Sequence, residues 1–84
     1  MIIPTWLKVL HYISHVEKVD NIILIAHELK MSPVSVYSAC YFLEELGVIN
    51  IHVEKSHKSV TPTQKLFKTK SVFNDLYETI KRLR

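Results

Sequence analysis

Gly47 is the only glycine in 84 residues, and it stands fifteen positions after the pair Ser32-Pro33. Between them lies "VSVYSACYFLEEL", which contains no further proline, no glycine and no lysine or arginine. Serine is a preferred N-cap, and proline at the first helical position loses nothing by lacking an N–H. Glycine past the last turn supplies the left-handed residue on which helices commonly end. The pattern predicts a helix from about 33 to 46. Val36, Cys40 and Leu43 fall within about 60° on a 3.6-residue wheel, flanked by Ala39 and Leu46, and form the stripe expected to be buried. The opposite face carries Val34, Ser38 and Tyr41, with Ser35, Tyr37 and Phe42 at its margins.

Punctuation elsewhere divides the rest of the chain. Thr5 is positioned to cap a first helix with Trp6, Val9, Leu10, Ile13 and Val16 on one face, fraying near Val16–Lys18. A short extended piece at Val19 precedes Asp20, the expected N-cap of a second helix over 21–30, lined inside by Ile22, Ile25, Ala26 and Leu29. Residues 48–54 alternate and are β-branched, 55–58 read as a turn, and 59–61 as the returning strand. A hairpin this small must lie on the helices to be stable. Thr61 and Gln64 have capping-box spacing, with Pro62 in the first turn, and open a last helix over 62–84. In it Leu66, Phe73 and Ile80 repeat every seven residues, with Thr69, Leu76 and Leu83 in the companion register. That heptad spacing predicts a packing seam, which Ser71 could interrupt.

One domain is expected, because a chain of this length buries only roughly 60–65% of its unfolded surface and has no room for a second core. The fold class is α+β, mainly α. Its longest apolar run, Ile22 to Ala26, is too short to span a bilayer, and no leader pattern is visible, so a cytoplasmic location without membrane attachment is expected. One cysteine, Cys40, precludes an intramolecular disulfide and a cysteine-based zinc site within one chain. A single glycine leaves no phosphate-binding loop, no nucleophile–base spacing stands out, and Asp75 with Glu78 reads as a solvated pair. Neither an enzyme nor a bound cofactor is expected. His11 and His15 have the i, i+4 spacing of a metal pair, but third and fourth ligands are missing, and two surface histidines are the simpler reading. His27 and His52 have no evident partners.

Charge is distributed unevenly. Residues 1–54 hold three basic against six acidic residues, a balance of −3, whereas residues 55–84 hold eight basic against two acidic residues, a balance of +6. The asymmetry directs any polyanion to the C-terminal third.

The segments Ile25-Ala26-His27-Glu28-Leu29-Lys30-Met31-Ser32, then Val36 with Leu43-Glu44-Glu45-Leu46-Gly47-Val48-Ile49, and Val60-Thr61-Pro62 together resemble the MarR, PadR and ArsR groups of prokaryotic winged helix-turn-helix regulators. The resemblance covers about residues 6–65, with Gln64 standing where those groups usually carry glycine. It implies a three-helix core with a β-hairpin wing over 5–62, and a C-terminal helix that makes a homodimer through Leu66, Phe73, Leu76, Ile80 and Leu83. It also implies double-stranded DNA as partner, with the third helix in the major groove and the hairpin on the backbone or minor groove. Carried onto this chain, that assigns DNA contacts to Ser32, Val34, Ser35, Tyr37, Ser38 and Tyr41 of the third helix. Lys30 precedes that helix, Lys55, His57 and Lys58 crowd the hairpin tip, and Lys65 follows it. Glu44 and Glu45 must then lie at the helix end farthest from phosphate. With no arginine on the third helix for bidentate guanine contacts, affinity falls to the hairpin and the helix reads only modestly. Two other readings fit the same residues: an interaction module presenting Tyr37, Tyr41 and Phe42 to a protein, and an architectural DNA binder without sequence preference.

Overall fold

The computed structural model describes residues 2–16 and 18–83. Four helices and one hairpin follow in the order α1 (Thr5–Val16), α2 (Ile22–Leu29), α3 (Pro33–Glu45), β1 (Ile49–Val53), β2 (Lys58–Pro62) and α4 (Gln64–Arg82). The class is α+β and mainly helical.

Pro4, not Thr5, holds the cap position ahead of α1: its carbonyl accepts the N–H groups of Leu7 and Lys8, both at 3.1 Å, and Thr5 is already helical. The buried arc of α1 is wider than one stripe and includes Leu7, Val9, Leu10, Ile13 and Ser14. Both α3 and α4 pack on this helix, so two sides are covered. Val16 stays partly exposed, and of the fraying segment at Val16–Lys18, Glu17 lies outside the described residues.

Asn21 caps α2, its Oδ1 accepting the Ile23 N–H at 3.0 Å. Asp20, expected in that role, instead lies 3.5 Å from the Lys18 ammonium on the surface. The displacement by one residue has a cause. Val19 exchanges both backbone hydrogen bonds with Val60, at 3.0 and 2.8 Å, and this bridge sets where the chain can turn into the helix.

Both α2 and α3 end in the same motif. Lys30 (φ 55°) and Gly47 (φ 80°) adopt the left-handed conformation. The next residue donates back across the last turn, Met31 to Ala26 at 2.9 Å and Val48 to Leu43 at 3.2 Å. Glycine at the second site removes the steric cost, while the first site bears it on a lysine. At the start of α3, Ser32 Oγ accepts the Ser35 N–H at 3.2 Å, as its position implies, and Val36, Ala39, Cys40 and Leu43 are buried. Burial pushes the Cys40 thiol up to about 12, leaving it protonated and inert.

The hairpin register pairs Ile49 with Pro62 and Val53 with Lys58. On the Ile51–Val60 pair the backbone groups point outward, those of Val60 to Val19. On the free side the Ile51 N–H is taken by the Glu44 carboxylate at 3.0 Å, so a charge from α3 guards the open edge.

The capping box expected at Thr61 and Gln64 does not form. Pro62 belongs to β2, and Thr63 occupies the cap position without making a side-chain cap. Its N–H goes to Val48 O at 3.1 Å and its hydroxyl to Gly47 O at 2.6 Å, tying the start of α4 to the end of α3. From there α4 runs unbroken through Ser71 for 19 residues, roughly 28 Å, to Arg82; Arg84 lies outside the described residues.

The heptad seam requires a correction. Leu66 is 1% exposed in the core of its own chain and offers nothing to a partner. Phe73 meets Trp6 edge-on, with ring centroids 6.1 Å apart, and Tyr77 stacks on His11 at 3.8 Å. A period of seven states that a helix packs, not on what, and α1 of the same chain takes this face. Leu76 and Leu83 stay exposed, joined by Val72, as a separate stripe on the flank of α4.

Candidate functional site

The exposed surface of α3 divides into two flanks, because the helix lies between α1 on one side and β1 on the other. Along the hairpin flank stand Tyr37 and Tyr41. Lys58, the first residue of β2, reaches across to them. Its ammonium donates to the Tyr41 hydroxyl and lies 4.8 Å from the Tyr41 ring centroid and 5.4 Å from that of Tyr37. That hydrogen bond holds Lys58 above the ordinary lysine range. The ammonium is therefore charged at any physiological pH and fixed beside two phenol rings rather than free at the hairpin tip. Lys55 occupies the tip itself and is exposed, and His57 is half-buried beside Ser56, 3.3 Å from its hydroxyl.

On the α1 flank a groove of about 410 Å³ opens between the two helices, lined by Thr5, Trp6, Val34, Ser35, Ser38, Ala39 and Phe42. Trp6 forms its aromatic wall. The indole is held at both sides, 5.7 Å from Phe42 and 6.1 Å from Phe73. None of the lining residues is ionisable.

The ridge between the flanks carries Val34, 75% exposed at the first turn, and the exposed Ser38. Ser32 and Ser35 share the N-terminal turn, where the Ser32 hydroxyl donates to Ser35 Oγ at 2.9 Å. Lys30, exposed, ends α2 just before that turn. Thus Lys30, Ser32, Val34, Ser35 and Ser38 gather around one end of α3, and Tyr37, Tyr41 and Lys58 follow along one side.

Lys65 does not join them. Its ammonium donates to Leu46 O at 2.6 Å, capping the negative C-terminal end of α3. That end is about 18 Å along the axis from Val34. Glu44 turns away to Ile51, whereas Glu45 is exposed at the C-terminal end.

Sequence reasoning missed the groove. Trp6 was assigned to a core stripe and Phe42 to a margin, and only the crossing of α1 and α3 makes them one wall. The Tyr–Lys58 cluster was equally hidden, since its members are 17 and 21 positions apart. Of the histidines, His11 and His15 are adjacent, with ring centroids 4.4 Å apart. Desolvation, then the neighbouring His15, lowers the His11 pKa. Among the described residues no three His, Cys, Asp or Glu side chains are grouped to hold a metal, and no helix is long and apolar enough to cross a membrane.

No family model, curated protein or solved structure matches this chain.

Proposed function

We propose that the chain is a winged helix-turn-helix DNA-binding protein, a transcriptional regulator that acts as a homodimer on double-stranded DNA. In this reading α3 is the recognition helix and the β1–β2 hairpin is the wing. One observation carries it. The N-terminal half of α3 presents an uncovered face, with Val34 three-quarters exposed, and the adjoining hairpin supplies a fixed cation at Lys58 and a free one at Lys55.

Chemistry assigns the parts. Ser35 and Ser38 are hydroxyls suited to base edges or phosphate, and Val34 is suited to a thymine methyl. Lys30, Lys55 and the Tyr41–Lys58 pair suit phosphates on either side. Affinity then comes mostly from the lysines and is strongly salt-dependent. The flank of α4 bearing Val72, Leu76 and Leu83 is the proposed dimer contact, which would set two α3 helices on half-sites about 34–36 Å apart.

A second reading is a protein-interaction module, favoured by Phe42 and Tyr41, each more than 40% exposed on a helix without basic residues. The test is fluorescence anisotropy of a random duplex beside a pool selected from genomic DNA, at several salt concentrations. Tighter, salt-sensitive binding to the selected pool is expected. Equal binding to both would mean an architectural protein, and no binding at low salt would favour the interaction module.

A further inference from the structure

We propose that the face shared by α3 and the hairpin holds an unpaired DNA strand, with bases stacked on Tyr41 and Tyr37 and packed against Val53, and phosphates on Lys58 and Lys55. This rests on the reading of the face as a DNA surface and adds that the strand held there is single.

Three observations carry it. The first is the aromatic surface. Tyr41 is 43% exposed, and Tyr37, one turn earlier and about 5–6 Å away at Cβ, lies partly buried on the same flank. An intact duplex shows a protein the edges of its bases and hides their faces, so a ring gains little there beyond what its hydroxyl can bond. An unpaired base has a free face, and it stacks on such a ring whatever its sequence. The bond from Lys58 to the Tyr41 hydroxyl orders that ring before a base arrives.

The second is Val53. It pairs with Lys58 across the hairpin, so both side chains leave the same face of the sheet, the one that meets Tyr41. Val53 is 77% exposed. Its methyl groups gain nothing from phosphate. They suit a thymine methyl, and a deoxyribose better than a ribose, whose 2′-hydroxyl would find no partner on them.

The third is the placement of charge. Since α3 has no basic residue, the cations beside the rings are Lys58 and Lys55, both on the hairpin side. The opposite flank of α3, toward α1, is lined without an ionisable group. Positive charge along one side of a stacking surface fits one backbone, whereas a duplex groove brings two.

The test is fluorescence anisotropy of a labelled oligothymidylate of about twelve residues, titrated at low salt with the full chain. An oligouridylate of the same length and a random-sequence duplex are run beside it. Saturable binding of the oligothymidylate is expected, at least threefold tighter than that of the oligouridylate. Tyr41→Leu should lose at least tenfold on the oligothymidylate, whereas Tyr41→Phe, which keeps the ring and loses the bond to Lys58, should stay within threefold of the parent. Val53→Ser, at an exposed position, should keep the circular dichroism spectrum of the folded chain and lose at least threefold. Oligothymidylate binding that neither Tyr41→Leu nor Val53→Ser weakens would overturn the site, and equal binding of the oligouridylate would overturn the choice of DNA. A chain that binds the duplex and no single strand overturns the proposal and leaves the duplex reading standing. One that binds the single strand and not the duplex supports the proposal and overturns the duplex reading. Binding of neither overturns both.

Discussion

Lys58, at the start of β2, is bound to the hydroxyl of Tyr41 on α3, seventeen residues earlier, with its ammonium 4.8 Å from that ring. This contact places a positive charge on the outer face of α3, which has no basic residue of its own.

Replacing Lys58 with alanine should therefore weaken duplex binding on every sequence and reduce the slope of log affinity against log salt by about one. Ser38→Ala should instead change which sequences are preferred while leaving the salt slope in place. Salt titrations of both variants on selected and random duplexes check the pair. A Lys58→Ala variant with the parental slope would remove this cluster from the DNA surface.

Lys30 carries a left-handed backbone on a residue with a Cβ. Lys30→Gly should raise stability by about 0.5–1 kcal/mol, the relief of strain exceeding glycine's added chain entropy. For a domain of this size that is a rise in Tm of roughly 2–8 °C. Gly47→Ala should do the reverse. A Cβ there would meet only the flexible Lys65 side chain, Cδ at 3.7 Å and Nζ at 3.9 Å, both ordinary contacts, so the cost is the φ of +80° and amounts to about 1–2 kcal/mol. Thermal melts followed by circular dichroism decide both.

The dimer contact is best tested on the open flank of α4. Val72→Glu with Leu76→Glu should give a folded monomer by sedimentation at concentrations where the parent is a dimer, since both side chains are exposed in the single chain. Deleting the chain after Lys70 would be a poorer test, because it also strips Phe73 from Trp6 and Tyr77 from His11. A parent already monomeric across the same range would refute the contact.

Stability should fall on mild acidification. His11 is faced by His15 from its own helix and by Tyr77, Glu78 and Lys81 from α4, and its pKa is lowered by desolvation first and then by His15. A histidine held neutral by folding binds fewer protons than its unfolded counterpart. Its contribution is thus complete above the unfolded value of 6.5 and lost as pH falls through the lower folded value. His11→Phe keeps a ring on Tyr77 and removes the proton, so the change in Tm between about pH 5 and 7.5 should be smaller than in the parent. An unchanged pH dependence would mean that another group is responsible.

Much of this fold is legible in single residues because it rests on local chemistry. Ser32, Pro33 and Gly47 delimit α3 through caps that involve neighbours a few positions away, and the stripe of Val36, Cys40 and Leu43 follows from the helical period. Where sequence reasoning failed, a distant partner had intervened. Asp20 lost the cap of α2 to Asn21 because Val19 pairs with Val60, and Thr63 left its own helix uncapped to bond Gly47.

The candidate site divides along the same line. The exposure of Val34, Ser35 and Ser38 was legible as the face opposite a buried stripe, since a helix in one chain has only one way to turn its apolar side inward. Three assignments belong to tertiary structure alone: Lys58 is bound to Tyr41, Lys65 caps α3 away from the site, and Trp6 with Phe42 walls a groove. The physical reason is that periodicity encodes direction around an axis but not the neighbour met there. Leu66 and Leu76 stand in companion registers of one heptad pattern, yet the fold buries the first at 1% exposure in the core of its own chain and leaves the second 40% exposed.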